Sequence, residues 1–390
     1  MTINSKIKEF IGAVFILLAS LFTVSCRNPD SSGSQLSYNT GKSSVQLAER
    51  FSLVRTDSCT ILTITDPWQG ASGIKNVYYL VDSNSKFSSS IDGNKVIRVP
   101  VGKIICMSTT HVAMIAALGK TDAIAGVSGT GFIFNREISE RIEKGIIHDV
   151  GYDAGLNNEL IISLSPDLIM IYGIGSESAG YLSKLRELGI RVMFNADYLE
   201  SDPLAKAEWI KLFGALFCKE EMADSIYQSI SEQYINTRQY ISQNCDEKPV
   251  VLLGLPFRDT WFISPGSSYA GRFISDAGGQ YLWHDIPSSE ALPYSIENVY
   301  IRSLKADYWL NTGSARSKSE IVSLDPRLGK IPCFITGNVY NNNKRVSSEG
   351  GNDYWESGIL LPHLILKDIA AILHPGLFPD YDLYYYKQLR

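Results

Sequence analysis

The chain has 390 residues, of which 45% are hydrophobic and 20% are charged, a composition typical of a globular protein. Its formal net charge is −5 and it contains no basic run, which argues against nucleic acid or an anionic membrane surface as the partner. Once the N-terminal segments are set aside, roughly 340 residues remain, enough for two domains of ordinary size.

The N-terminus has the features of an export signal. Basic residues precede an apolar run from Phe10 to Phe22, and this run is shorter than the ~20 residues that a membrane-spanning helix needs. Cys26 follows small residues that resemble a bacterial lipobox, which predicts lipidation of Cys26. Ordinary cleavage by signal peptidase near Ser25 is the alternative. We expect residues 1–26 to be a lipoprotein signal peptide.

A polar segment and a strand-rich extension follow. Residues 27–50 are rich in small polar residues and cannot bury enough apolar surface to order themselves, so we expect a flexible tether. Residues 51–101 alternate in polarity as strands do, which predicts strands at 60–65, 76–81 and 96–101. This extension begins a first lobe that we place at 51–201.

From Ile104 the pattern changes to short apolar strands that alternate with helical stretches. Strands are expected at 104–107, 123–127, 168–172 and 191–195, and helices at 110–118, 160–164 and 179–188. This alternation predicts a parallel sheet with helices on its faces.

Residues 202–245 contain no predicted strand and have apolar residues at mostly helical spacing. Asp202 and Pro203 suit the cap and the first position of a helix, and the charged run at 219–221 suggests a break. We expect this segment to link the first lobe to a second lobe at 246–390. In this second lobe, strands and helices are again expected to alternate, and one of the strands is expected at Cys333–Thr336.

Several short motifs follow one another along the two halves of the chain. They are Ile124-Ala125-Gly126-Val127-Ser128, Val150-Gly151, Gly155-Leu156-Asn157-Asn158-Glu159, Leu164-Ser165-Pro166-Asp167-Leu168-Ile169, Asp276-Ala277-Gly278-Gly279 and Ser295-Ile296-Glu297. In their order and spacing they resemble the substrate-binding proteins of iron-siderophore, haem and vitamin B12 ABC importers. The resemblance covers roughly residues 95 to 375. It implies an α/β fold of two Rossmann-like lobes joined by a long rigid helix, the helical-backbone type of metal-receptor protein.

The resemblance also implies roles for particular residues. Glu159 and Glu297 match glutamates that project from the two lobe tops and pair with arginines of the permease. Aromatic residues in loops after strands are expected to hold a large planar ligand; the candidates are Phe132, Phe134, Tyr152, Tyr172, Trp261, Tyr294, Tyr340, Tyr354 and Trp355. The ligand would be a metal chelate, either a corrinoid or a ferric siderophore. Its metal, cobalt or iron, would come with the ligand, and the protein itself would need no cofactor.

The expected protein is therefore a monomeric lipoprotein on the periplasmic side of the cell envelope, which binds a chelate and delivers it to an ABC permease. Haem binding within the same family remains an alternative, as does a surface or scaffold protein without a transport role. An enzyme is not expected, because catalytic motifs are missing and the five histidines are spread along the chain. The nearest approach to a metal site is His284-Asp285.

Overall fold

The N-terminal extension forms a sheet of its own. The computed structural model describes residues 42–85, 87, 91–152, 155–173, 185, 187–286, 288 and 290–390. The strands of this sheet are β1 (Phe51–Arg55), β2 (Thr60–Thr65), β3 (Lys75–Asp82) and β4 (Val96–Val99), in that spatial order. The first three are antiparallel, and β4 pairs in parallel with β3. Leu62 and Ile64 are fully buried on one face of β2, so the period of two in the sequence reflects burial on one side of the sheet.

The extension packs firmly against the rest of the chain. Phe51 lies against Trp209, with 4.5 Å between ring centroids. The Tyr78 hydroxyl donates a hydrogen bond to the backbone oxygen of Val192 at 3.2 Å. The side chain of Arg191 donates to the backbone oxygen of Val96 at 3.0 Å. The extension is thus an integral part of the folded body.

The first lobe contains a parallel sheet in the order β7-β6-β5-β8-β9. Its strands and helices are β5 (Ile104–Cys106), α1 (Thr109–Ala117), β6 (Ile124–Val127), α2 (Arg136–Glu143), β7 (His148–Asp149), α3 (Asn158–Leu164), β8 (Leu168–Ile171) and β9 (Val192–Phe194). The central strands β5, β6 and β8 are buried at every position, as expected for a parallel sheet that is covered on both faces. The helix predicted at 179–188 lies largely outside the described residues.

Three consecutive helices link the lobes: α4 (Pro203–Glu208), α5 (Ile210–Phe217) and α6 (Glu220–Asn244). The Asp202 side chain caps α4 by accepting from the backbone N–H of Leu204 at 2.8 Å. The predicted break is confirmed, because α5 ends before Cys218, whose φ of 53° is left-handed. At ~1.5 Å per residue, the 25 residues of α6 extend about 38 Å. A Cβ at Gly214 would lie 2.6 Å from the Ala223 Cβ, so glycine permits the close approach of α5 and α6.

The second lobe has a five-stranded sheet in the order β12-β10-β14-β15-β16, parallel except for β16, and a separate antiparallel pair, β11-β13. Its elements are β10 (Val250–Leu253), β11 (Thr260–Ile263), α7 (Tyr269–Asp276), β12 (Gln280–Tyr281), β13 (Leu292–Ser295), α8 (Ile296–Ser303), β14 (Tyr308–Leu310), α9 (Lys318–Leu324), α10 (Pro332–Ile335), β15 (Val339–Asn341), α11 (Asp353–Glu356), α12 (Pro362–Leu373) and β16 (Lys387–Gln388). The predicted α/β fold is confirmed, with a parallel sheet in the first lobe and a mixed sheet in the second.

One strand prediction in the second lobe is wrong. The run Cys333–Thr336 lies in and directly after the short helix α10, and the strand that follows is β15. Pro332 occupies a first-turn position of α10, where its fixed φ favours a helix and its missing N–H costs nothing. An apolar run of four residues does not distinguish a buried strand from a buried helix.

The end of the predicted tether is held against the linking helices. The Glu208 carboxylate accepts hydrogen bonds from the backbone N–H groups of Gln46, Leu47 and Ala48 at 2.7–2.9 Å. The Glu200 carboxylate accepts from the N–H groups of Glu49 and Arg50. We call this arrangement the N-terminal clasp. Residues 46–50 therefore belong to the folded body, and the described residues from 42 onward form one compact unit. Within the described residues, no helix combines the length and apolar character of a membrane span.

Candidate functional site

A cavity of 610 Å³, which we call the inter-lobe pocket, lies between the two lobes. The first lobe contributes Tyr198 and Glu200, which follow β9 at its carboxyl end. The second lobe contributes Ser268 and Tyr269, where the chain enters α7. The N-terminal extension adds a further side to the pocket. The volume of the inter-lobe pocket falls within the ~300–1,000 Å³ range of small-molecule sites.

Tyr198 provides an aromatic and hydroxyl surface to the first-lobe wall. Its hydroxyl donates to the backbone oxygen of Gly173, and its ring meets that of Tyr172 edge to face, with 6.3 Å between centroids. Burial raises the pKa of Tyr198. The side chain is thus a neutral phenol, held in position by the carboxyl end of β8.

Tyr269 provides the corresponding surface from the second lobe. The Lys206 ammonium lies 4.1 Å from the Tyr269 ring centroid, a cation–π contact that crosses from the linking helices to α7. Burial lowers the pKa of Lys206, and the nearby Asp197 carboxylate opposes that shift. Burial also raises the pKa of Tyr269 well above its usual value. This side of the pocket therefore presents a neutral phenol whose ring is backed by a lysine.

A second contact region joins the lobes through Glu356, and we call it the inter-lobe latch. The Glu356 carboxylate, in the second lobe, accepts from the backbone N–H groups of Phe134 and Asn135 of the first lobe at 2.7 and 2.8 Å. Burial raises the pKa of Glu356 to about 7, although the two N–H donors oppose the shift. The Thr109 hydroxyl adds a bond of 3.2 Å to the backbone oxygen of Trp355. The two lobes are thus tied together at a site separate from the inter-lobe pocket.

Comparison with known proteins identifies the family. Residues 104–346 match the family described as "Periplasmic binding protein". The chain belongs to this family. An uncharacterized lipoprotein of Methanocaldococcus jannaschii is 27% identical over 297 residues, covering 74% of this chain and 68% of that protein.

Solved structures with the same fold include two periplasmic proteins. A periplasmic binding protein from Veillonella parvula superposes with a TM-score of 0.56 at 15% identity, covering 81% of this chain and 98% of that one. A periplasmic heme-binding protein from Pseudomonas aeruginosa gives a TM-score of 0.55 at 16% identity, with coverage of 74% and 98%. The predicted family and the two-lobed fold are confirmed. Since the family consists of binding proteins, the expectation that the chain is not an enzyme is confirmed as well.

In this periplasmic binding protein, the predicted ligand residues do not form a single cluster. Phe132, Phe134 and Trp355 lie near the inter-lobe latch, and the side chains of Phe132 and Trp355 are 62% and 60% exposed. Tyr172 lies beside the inter-lobe pocket through its contact with Tyr198. Tyr172 is therefore a predicted aromatic residue that the structure places in contact with the pocket wall.

Two of the predicted ligand residues are core residues instead. Trp261 is fully buried; its indole N–H donates to the backbone oxygen of Leu253 at 3.1 Å, and its ring stacks on Trp309. Tyr354 is also buried, with its ring edge to face against those of Tyr385 and Tyr386. Strand β11 alternates, so its outward position is Phe262 rather than Trp261. Neither buried residue presents surface to a ligand.

The remaining three aromatic candidates are scattered. Tyr152 is 62% exposed in the loop after β7. Tyr294 pairs with Trp261 across the β11-β13 ladder and is half-buried. Tyr340 is half-buried in β15, opposite Gln388. Their contact with a ligand stays a prediction.

The predicted docking glutamates are both exposed at the starts of helices. Glu159 lies in the first turn of α3, which is capped by the Asn157 side chain. Glu297 lies in the first turn of α8, and its carboxylate accepts a hydrogen bond of 2.8 Å from Arg327. That bond lowers the pKa of Glu297. An incoming arginine would therefore have to compete with Arg327 for Glu297. Within the described residues, the Glu159 carboxylate has no such ion-pair partner.

The histidine positions contribute little to a metal-binding interpretation. Asp285, next to His284, forms an ion pair with Arg302. His111 is fully buried, and burial lowers its pKa to about 3, so it is a neutral core residue. In the part of the chain that the structure describes, no three His, Cys, Asp or Glu side chains lie close enough to hold a metal ion.

Sequence reasoning missed Trp68, Tyr198 and Tyr269 as pocket residues. Tyr198 and Tyr269 follow strands β9 and β11, the same position that led to the other aromatic candidates. Trp68 lies in a segment whose proline and glycine predicted only a turn. Their position after a strand could have predicted the two tyrosines as pocket residues. No local sequence pattern predicts that Trp68 reaches the pocket.

Proposed function

We propose that this protein is the solute-binding component of an ABC importer and that its ligand is a metal chelate, of the corrinoid or ferric siderophore class. The observation that carries the proposal is the inter-lobe pocket, which has aromatic and hydroxyl side chains from both lobes in a family of binding proteins. Rigid aromatic rings bury a large ligand surface at low entropic cost, and hydroxyls satisfy its polar edge. The ligand would supply the cobalt or iron.

Haem is a second candidate ligand. The heme-binding protein from Pseudomonas aeruginosa shares the fold, and the pocket contains two tyrosine rings that can lie against a flat macrocycle. Titration of the purified protein with cyanocobalamin, hemin and ferric hydroxamate, followed by tryptophan fluorescence, distinguishes these ligands. Absence of binding to all three would overturn the metal-chelate proposal.

The proposed location is the periplasmic side of the cell envelope, with a lipid anchor on Cys26. Cys26 lies outside the described residues, and support comes from the relative that is named a lipoprotein. We expect Cys26→Ser to release the protein into the soluble fraction, because acyl chains rather than a protein span would hold it. The check is fractionation after a carbonate wash. A variant that stays with the membranes would contradict the anchor.

Glu159 and Glu297 are proposed to dock the loaded protein, a monomer, on the permease. Both are exposed and lie on helices of different lobes, and two separated rim carboxylates set register and association rate. Combined replacement of both by alanine is expected to weaken permease binding by about tenfold while ligand affinity stays unchanged. Tyr269→Ala, within the pocket, is expected to do the reverse.

The matched control is Glu143→Ala with Glu232→Ala, which removes two exposed carboxylates at the end of α2 and within α6. Ligand affinity is measured by calorimetry, and complex formation with the permease is measured separately in detergent. Loss of ligand binding in the Glu159/Glu297 variant would place those residues in the ligand site. An equal loss of permease binding in the control variant would show that the effect comes from the change in net charge and not from Glu159 and Glu297 in particular.

A further inference from the structure

A loop of the N-terminal extension reaches the inter-lobe pocket. The loop between β2 and β3 is closed by a bond of 2.8 Å from the Asp66 N–H to the Ile74 oxygen, and by one of 2.9 Å from the Ile74 N–H to the Asp66 side chain. At its tip, residues 68–71 line the pocket. These residues precede the segment that matches the family, which begins at residue 104.

The tip of this loop is fixed against the carboxyl edge of the first-lobe sheet. Trp68 forms a β-bridge with Gly173, which follows β8, and its ring lies 5.3 Å from that of Phe194 at the end of β9. A Cβ at Gly173 would lie 2.9 Å from the Trp68 Cβ, so the contact depends on glycine at this position. The loop is thus held where a ligand between the lobes would meet it.

The charges around the pocket limit the ligands that it favours. Among the described residues that line it, Arg50 carries the positive charge, and its nearest acid is Asp66 at 4.0 Å. Exposed carboxylates come from Glu49 and Glu290. The Glu200 carboxylate is buried and accepts the N–H groups of Glu49 and Arg50 in the N-terminal clasp. A lining with more acids than bases disfavours anionic ligands, because like charges in a partly desolvated site repel one another.

We propose that the loop at residues 68–71 is a third wall of the ligand site, and that Trp68 and the acidic lining select a macrocyclic chelate with no net negative charge. This inference rests on the proposed function. The indole offers a rigid apolar surface on the first-lobe side, and Tyr269 offers a second ring from α7. A rigid macrocycle that contacts these rings gains contact area without ordering flexible side chains.

The test uses three probes that separate the macrocycle from the charge: cyanocobalamin, which is neutral overall and has a corrin macrocycle with axial ligands on its two faces; hemin, which has a flat macrocycle and carries two carboxylates; and ferrioxamine B, which is cationic and has no such macrocycle. We expect the wild-type protein to bind cyanocobalamin most tightly. Trp68→Ala should weaken that binding by about tenfold or more. Tyr240→Ala is the control, since Tyr240 is an exposed ring on α6 that lines a different cavity.

Because Trp68→Ala also removes the ring contact with Phe194 and so lowers stability, a second variant tests for a gain of binding. Gln69 is exposed at the loop tip, so Gln69→Arg adds a positive charge without disturbing the core. It should tighten hemin binding and leave cyanocobalamin binding unchanged.

Two results would show that the loop at residues 68–71 is not part of the ligand site: a folded Trp68→Ala variant that binds cyanocobalamin as the wild type does, or a Gln69→Arg variant with unaltered hemin affinity. Either result would leave the importer proposal standing. If the wild type binds hemin or ferrioxamine B most tightly, the proposed selection against negatively charged ligands and for a macrocycle is wrong. If the wild type binds none of the probes, both this inference and the metal-chelate importer proposal are wrong.

Discussion

Replacing Glu208 by alanine is expected to destabilise the folded protein by about 3–5 kcal/mol and to free the N-terminal segment. Glu208 is fully buried and accepts hydrogen bonds from the backbone N–H groups of Gln46, Leu47 and Ala48. It also forms a largely buried ion pair with Lys211 at 3.0 Å. Alanine would leave three backbone N–H donors without their acceptor, and the loss of a buried acceptor costs the desolvation energy of each donor. It would also remove the buried partner of the Lys211 ammonium, which would keep the Ser44 backbone oxygen at 3.0 Å and the Asp224 carboxylate at 3.5 Å.

The measurement combines urea unfolding with limited trypsin digestion. In the wild type, the bond after Arg50 should resist cleavage, because the Arg50 N–H is held by Glu200 and β1 begins at the next residue. In Glu208→Ala, cleavage at Lys42 and Arg50 should be fast. Glu221→Ala is the control, since Glu221 is exposed on the same helical linker. Equal midpoints and equal digestion patterns for wild type and Glu208→Ala would show that the clasp does not hold the segment.

The clasp also has a consequence for the proposed function. The segment that it holds ends at Arg50, which lines the inter-lobe pocket. Anything that pulls the tether away from the linking helices would therefore displace a pocket residue. We expect Glu208→Ala to lower ligand affinity as well as stability.

The second large effect is expected at the inter-lobe latch and depends on pH. Burial raises the pKa of Glu356 from 4.5 to about 7, so the folded state binds a proton more tightly than the unfolded state does. The folded protein therefore gains stability through this residue as pH falls from about 7 to 4.5, and loses it as pH rises through that range. At about 1.4 kcal/mol per pKa unit, the full change is about 3 kcal/mol.

Glu356→Gln removes the titration while it preserves the shape of the side chain. We expect the free energy of unfolding of the wild type, minus that of the variant, to increase by about 3 kcal/mol between pH 8 and pH 4.5. The neighbouring Asp353, Arg345 and Tyr384 are the same in both proteins, so the difference isolates Glu356. Glu349→Gln, an exposed position nearby, is the control and should show no change. If the free energy of unfolding changes with pH in the same way for the wild type and Glu356→Gln, the raised pKa of Glu356 is contradicted.

Much of the architecture could be read from local patterns in the sequence. Strand β2 has its predicted bounds because one face of it is buried and the other is not. The break before α6 follows from the charged run at 219–221, and the cap of α4 follows from Asp202 and Pro203. These features depend on periodicity, capping and backbone preference, which act over a few residues. The motifs that resemble importer proteins also led to the correct family.

The lining of the candidate site was decided by tertiary structure. Trp261 and Tyr354 have the residue type of ligand contacts, but the packing of the second lobe buries both. Trp68 reaches the pocket because a separate sheet docks beside β9 and a glycine at 173 admits the indole. Glu208 and Glu356 act on backbone N–H groups 162 and 222 residues away in the chain. Burial and partners at such separations depend on how the lobes and the extension pack together, and no local pattern in the sequence encodes that packing.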